Sequence, residues 1–127
     1  MLADSKPIIL VPTTDREKAR TFYQDVLGLA FKSEDDFAIV FASAGIMIRV
    51  TPVRELTPHA FAILGWEVTD IAAAVTGLSA RGVEFERFDF PWMTQDALGV
   101  WTAPDGTQVA WFKDPDGNLL SVVRHMN

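Results

Sequence analysis

The chain of 127 residues has no cysteine and only two histidines. Without cysteine there is no disulfide, no thiolate chemistry and no Cys-ligated zinc. No apolar run approaches the ~20 residues that cross a bilayer, which argues against a membrane partner. The opening Met1-Leu2-Ala3-Asp4-Ser5 lacks the basic-then-apolar layout of a secretory signal, so a cytoplasmic location is expected. Positive charge is scarce as well: 11 Lys and Arg stand against 17 Asp and Glu, a net charge of −6. That balance disfavours nucleic acid and would suit a cationic ligand, although it also serves plain solubility. With 49% hydrophobic and 22% charged residues, the composition is that of one globular domain spanning residues 1–127.

Turn chemistry is abundant toward the C-terminus. Residues 98–123 read L-G-V-W-T-A-P-D-G-T-Q-V-A-W-F-K-D-P-D-G-N-L-L-S-V-V, two hairpins in succession. Asp105-Gly106 suits a tight two-residue turn, and Asp114-Pro115-Asp116-Gly117-Asn118 a longer one in which Pro115 fixes φ and Gly117 can turn left-handed. The flanking Val, Trp, Thr, Phe and Leu favour strands. A two-residue loop pairs Val109 with Thr102 and Trp111 with Val100. Val109 and Trp111 then share one face and Ala110 and Phe112 the other. On that register Trp101 opposes Ala110 and belongs to the helix-side core, as does Trp66.

Upstream, residues 7–13 read as a first strand. Thr14 opens a helix with the T-x-x-E pattern of a capping box, Glu17 reaching back. Ala19, Phe22, Tyr23, Val26 and Leu27 form one apolar stripe, and Gly28 stops the helix. Strands are expected over residues 29–32, 37–41 and 45–50. Residues 51–58 are a polar connection with two prolines, after which the pattern repeats. Residues 60–68 are a strand, Thr69-Asp70 caps a helix with Ile71, Val75 and Leu78 inward, Gly82 ends it, and Val83-Glu84-Phe85 matches Leu29-Ala30-Phe31. The fold class is therefore α+β: two βαβββ modules, residues 7–53 and 59–124, each with an apolar sheet face. Residues 89–99 form a long apolar loop of the kind that covers binding sites.

Trp111-Phe112-Lys113-Asp114-Pro115-Asp116-Gly117-Asn118-Leu119-Leu120, with Phe22-Tyr23-Gln24-Asp25-Val26-Leu27-Gly28-Leu29 upstream, resembles the vicinal oxygen chelate superfamily. That superfamily contains glyoxalase I, bleomycin-resistance proteins, fosfomycin-resistance enzymes and extradiol dioxygenases. The resemblance covers nearly the whole chain. It implies that the modules pair into an incomplete barrel enclosing a pocket, and that chains pair as a homodimer. It also implies four positions for a divalent metal, which in this sequence hold Ile8, Arg49, Ile63 and Ser121. Isoleucine has no lone pair, arginine is a permanent cation and a neutral serine hydroxyl is a poor ligand. No metal and no other cofactor is expected. His59 and His125 lie near strand ends and read as solvated.

Strand alternation turns Ile8, Leu10, Met47, Arg49, Ile63, Gly65, Glu67, Val109, Trp111, Leu119 and Ser121 toward the expected pocket, and Trp92 is a lid or oligomer residue. This is an apolar, aromatic surface suited to a small molecule, or a set of side chains that fill the space. Arg49 and Glu67 either bind each other or serve a ligand, Glu67 being the candidate catalytic base. Two functions follow: a metal-free binding protein that stacks a flat or cationic ligand, or an enzyme, either metal-dependent or using Glu67. The occupied ligand positions favour the first.

Overall fold

Asp15 and Asp70 start the two helices in the same way. In the computed structural model, which describes residues 1–126, each has an extended backbone, and its Oδ1 accepts the amide three residues on, Lys18 at 3.1 Å and Ala73 at 3.0 Å. Such a cap contributes about 1 kcal/mol. The first cap is thus Asp15 rather than the expected Thr14: a carboxylate one residue later reaches the free amide, while Thr13 Oγ1 donates to Asp15 O at 3.0 Å.

Two compact units result, Met1–Thr57 and a second that begins at Pro58. The first contains β1 (Ile8–Thr13), α1 (Arg16–Thr21), β2 (Ala30–Glu34), β3 (Ile39–Ser43) and β4 (Ile46–Pro52). The helix continues past α1 through Phe22–Val26 in a wider turn, in which the Leu27 amide bonds to Phe22 O, five residues back, at 2.9 Å. The second unit contains β5 (Leu64–Glu67), α2 (Ile71–Ala80), β6 (Trp101–Thr102), β7 (Gln108–Lys113) and β8 (Leu119–Arg124). Both sheets have four strands in the same order, β1-β4-β3-β2 and β5-β8-β7-β6, with the first strand parallel to the last. These are two βαβββ modules.

Each sheet buries one face. In the first unit Val11, Tyr23, Ile39, Phe41, Ile48 and Val50 are almost wholly buried. In the second the equivalents are Leu64, Ile71, Val75, Ala110, Phe112, Leu120 and Val122. Each large side chain so buried contributes roughly 1.5–3 kcal/mol. At the end of α2, Gly82 (φ +95°) allows a Schellman cap, its own amide bonding Ser79 O at 3.0 Å and the Val83 amide bonding Leu78 O at 3.1 Å.

The terminal hairpins depart from expectation at one turn. The loop between β6 and β7 has three residues, Pro104, Asp105 and Gly106: Gly106 (φ +94°) donates to Ala103 O at 2.9 Å and Ala103 donates to Thr107 O at 2.7 Å. A type I turn completed by a left-handed glycine adds one residue to the two-residue loop expected. The register slips accordingly, and Trp101 lies opposite Val109 rather than beside Ala110. Trp101 therefore joins the face of Val109 and Trp111, not the helix-side core.

Two further differences concern the edges. The strand expected over residues 60–68 starts only at Leu64, and the one at residues 83–85 shrinks to a single bridge, Phe85 to Phe112. Phe85 and β6 both lie along β7, so this edge of the sheet is one strand interrupted by residues 87–100. Among the described residues no helix is long and apolar enough to cross a membrane.

Candidate functional site

The open face of the second sheet is built in rows. Gly65, Ser121 and Trp111 are directly paired neighbours, and Glu67, Val123, Val109 and Trp101 form the next row. Gly65 permits a close approach: a Cβ there would lie 2.6 Å from Ser121 Oγ. Ile63 continues the same face, its amide bonding Leu119 O at 2.9 Å.

The excursion between Phe85 and β6 folds back over this face as a clamped segment. Gln95 holds its base: Oε1 accepts the Phe88 amide at 2.8 Å, and Nε2 donates to Glu86 O and Gly99 O, both at 2.9 Å. Arg87 donates to Asp96 O at 2.6 Å and to Ala97 O at 2.7 Å. Between these clamps the chain turns at residues 90–93, where the Met93 amide bonds Phe90 O at 3.1 Å, and three aromatic rings line up. Phe88 stacks on Phe90 (centroids 5.8 Å, 11° between planes) and Phe90 on Trp92 (5.4 Å, 3°).

The stack closes into a circuit with the sheet. Phe88 meets Trp111 edge-on at 5.3 Å, Trp92 meets Trp101 edge-on at 5.6 Å, and Trp101 lies 6.2 Å from Trp111. Offset and edge-on pairs at such separations contribute about 0.5–1.5 kcal/mol each beyond area burial, so the rings hold one another in place. Phe90 and Trp92 remain 46% and 65% exposed; Phe90 lies between Phe88 and Trp92 in the stack, so Trp92 offers the ring surface for a further ring.

Charge around this surface is mostly negative. Glu86 pairs with Lys113 at 3.5 Å, Asp89 is exposed, and Glu67 Oε2 lies 3.8 Å from His125 Nδ1 with 69% of its side chain exposed. His125, expected to be solvated and isolated, thus has a carboxylate beside it. His59 stacks on Phe61 at 4.8 Å.

In the first unit, Ile8 pairs with Met47 and Leu10 with Arg49, and all four share the face opposite the core. Ile8, Leu10 and Met47 are 56%, 66% and 39% exposed, and Arg49 is half-buried. Asp35 accepts the amides of Phe37 and Ala38 at 2.8 and 3.0 Å; these bonds hold its carboxyl below the ordinary range, and the charges of Arg49 and Arg16 add to the effect.

Strand alternation anticipates the shared faces of Val109, Trp111, Ser121 and Glu67 in the second unit and of Ile8, Leu10, Met47 and Arg49 in the first. It misses Phe88, Phe90 and Trp101. The first two carry a visible signal, the aromatic alternation F-D-F-P-W of residues 88–92. Gln95 carries none. The residues at the four ligand positions do not fit a divalent ion: in the first unit an aliphatic side chain and a cation, in the second an aliphatic side chain and a serine. Among the described residues no group of three or more His, Asp or Glu could hold one.

Two βαβββ modules of matching strand order, one bearing an aromatic face, define a glyoxalase-like fold. The family model of the Glyoxalase/Bleomycin resistance protein/Dioxygenase superfamily matches residues 7–122, and the chain belongs to that superfamily. Among solved structures it resembles TnmS3, an antibiotic binding protein from Streptomyces sp. CB03234, at 22% identity and TM-score 0.71, over 99% of both chains. A bleomycin-binding protein complexed with bleomycin matches at 18% identity and TM-score 0.71, over 96% of this chain and 99% of that one. A superfamily member from Sphaerobacter thermophilus DSM 20745 matches at 21% identity and TM-score 0.73, over 98% of this chain and 100% of that one. No curated protein sequence matches.

Proposed function

We propose that the chain binds a planar aromatic, preferably cationic, small molecule on the aromatic face of its second module, without a divalent metal and without transforming it. The observation that carries this reading is the closed circuit of Phe88, Phe90, Trp92, Trp101 and Trp111 over the open face of the second sheet. Rings already ordered by mutual stacking lose little entropy when a ligand adds to them. The net charge of −6, with Glu67, Glu86 and Asp89 in the same unit, favours a cation over an indole face. The antibiotic-binding and bleomycin-binding proteins of the same fold support the class of ligand.

Acid–base chemistry through Glu67 is the second reading, supported by His125 at 3.8 Å. It is the weaker one, because the Glu67 side chain is 69% exposed and stands in open solvent rather than in an enclosed site that would hold a substrate proton within reach.

The test is a fluorescence titration against basic and neutral planar aromatics, with elemental analysis of protein purified without chelators. Trp111→Ala should weaken binding about ten-fold or more, and Trp111→Phe less, because a ring remains. Since Trp101 shares the face, Trp101→Ala should also lose affinity. Unchanged affinity in both alanine variants, or one divalent ion per chain, would end this reading.

A further inference from the structure

The clamped segment over the aromatic face has two halves that are held in different ways. Its base is bonded into the sheet: the Glu86 amide donates to Trp111 O at 2.8 Å, the Asp96 amide to Val100 O at 2.9 Å, and Asp96 Oδ1 accepts the amides of Leu98 and Val100, both at 2.9 Å. Its tip is not. Among the described residues, residues 89–93 make one hydrogen bond, the local one from Met93 to Phe90, and Asp89, Phe90, Pro91 and Trp92 are exposed. What ties the tip to the sheet is a pair of edge-on ring contacts, Phe88 on Trp111 and Trp92 on Trp101. A segment with so few backbone bonds and buried contacts opens locally more easily than the core.

Gln95 joins the two halves. Its carboxamide lies at the neck, where the outgoing chain at residues 86–88 meets the returning chain at Gly99, and it works as acceptor and donor at once: the oxygen takes the Phe88 amide, and the nitrogen serves the carbonyls of Glu86 and Gly99. Glutamine has that set at this length; an ionised glutamate has no donor, and asparagine is one methylene shorter. Both N–H groups are taken, so the amide has no donor left for a ligand. Phe88 carries the first ring of the stack, and the bond to its amide fixes where the row of rings begins.

We infer that Gln95 is the positioning residue of the aromatic site: without touching the ligand, it sets affinity by holding Phe88, and through it Phe90 and Trp92, in the arrangement that binds. This rests on that face being a site for planar aromatic cations, so one arm of the test needs no ligand. In Gln95→Ala the indole NMR resonances of Trp92 and Trp101 should move toward those of a mobile indole, while the amides of α2 and β8 stay in place. Proflavine, a planar cation, is the probe of binding, and rings correctly arranged only about a tenth of the time would weaken it about ten-fold. Gln95→Ala should cause that loss in the parent and little further loss in a Phe88→Ala background, where the first ring is already gone. Gln95→Glu should bind as weakly as Gln95→Ala at about pH 8 and regain affinity relative to the parent toward about pH 5, because a carboxyl set between two carbonyls is readily protonated and then donates again. Glu86, Arg87 and Asp96, the charged residues at the neck, are common to both proteins, so parent and variant are compared at each pH. The inference is overturned if Gln95→Ala keeps the parent's indole resonances, disturbs α2 and β8 equally, or costs the same affinity with and without Phe88, or if Gln95→Glu follows the parent's pH profile. If proflavine does not bind the parent, the proposed function fails for this ligand class, and the indole resonances alone decide whether Gln95 positions the rings.

Discussion

Gly65 is the cheapest place to ask whether the floor of the aromatic face is packed as described. Its backbone is not in the left-handed region, so alanine is conformationally acceptable, and lowering the freedom of the unfolded chain would by itself stabilise by about 0.4–1 kcal/mol. Opposing this, the new Cβ would lie 2.6 Å from Ser121 Oγ, and Ser121 is only 6% exposed, with little room to rotate away. Overpacking of that kind costs about 1–3 kcal/mol, so Gly65→Ala should destabilise by roughly 1–2 kcal/mol net. In a Ser121→Ala background the offending oxygen is gone. The next contacts, Ser121 O at 3.4 Å and Ser121 Cβ at 3.9 Å, are ordinary. There the same substitution should be neutral or slightly stabilising, giving a coupling of about 1–3 kcal/mol between two directly paired residues. Urea unfolding of the four proteins measures it, provided the m-values agree. If Gly65→Ala has the same effect in both backgrounds to within about 0.5 kcal/mol, the pairing of Gly65 with Ser121 beneath Trp111 is wrong.

Ala44 and Gly45 form the two-residue turn between β3 and β4 with φ of 49° and 78°, and among the described residues Ala44 is the one non-glycine residue with positive φ. Ala44→Asn should raise stability by roughly 0.5–1 kcal/mol, read as a higher urea midpoint. Asp35 is held below its ordinary value of 3.8, so its contribution to stability is present above that value and is lost as pH falls through the lower folded pKa. A carboxyl titration by NMR should give a midpoint under 3.8, and one at or above it would contradict the two amide bonds to Oδ1. We also infer a homodimer, because β1 is an edge strand whose Leu10 is 66% exposed. Light scattering at micromolar concentration should show twice the 14.1 kDa chain mass, and Leu10→Asp should reduce it.

The modules are legible in the sequence because what defines them is local. The Asp114 turn is self-contained: its carboxylate accepts the amides of Asp116 and Asn118 and the Asn118 side chain, all at 2.9 Å. The helix starts and the glycine stops are equally short-range. Trp101 is illegible for a reason one residue wide. Whether Pro104 belongs to the strand or the loop decides its face, because the side-chain period is two, and both readings satisfy the preferences of Asp105-Gly106. Phe88 and Phe90 needed something else. Their orientation depends on Gln95, whose three bonds run to backbone groups four to nine residues away, a geometry no periodicity encodes. The Glu67–His125 approach likewise needs the β5–β8 register, in which Glu67 lies beside Val123.

The wide helical turn at Phe22–Val26 has a consequence for how the two halves stay comparable. From Asp15 to Gly28 the chain is one residue longer than from Asp70 to Gly82. In an ordinary helix that surplus would rotate everything after it by about 100° and send the next strand off with its faces exchanged. Here the Leu27-to-Phe22 bond lets the extra residue bulge out within a single turn. Three residues past each glycine a phenylalanine then meets the same kind of partner, Phe31 opposite Phe41 and Phe85 opposite Phe112. A repeat that can store a length difference in the girth of a helix is free to drift in sequence length without losing the alignment of its sheets.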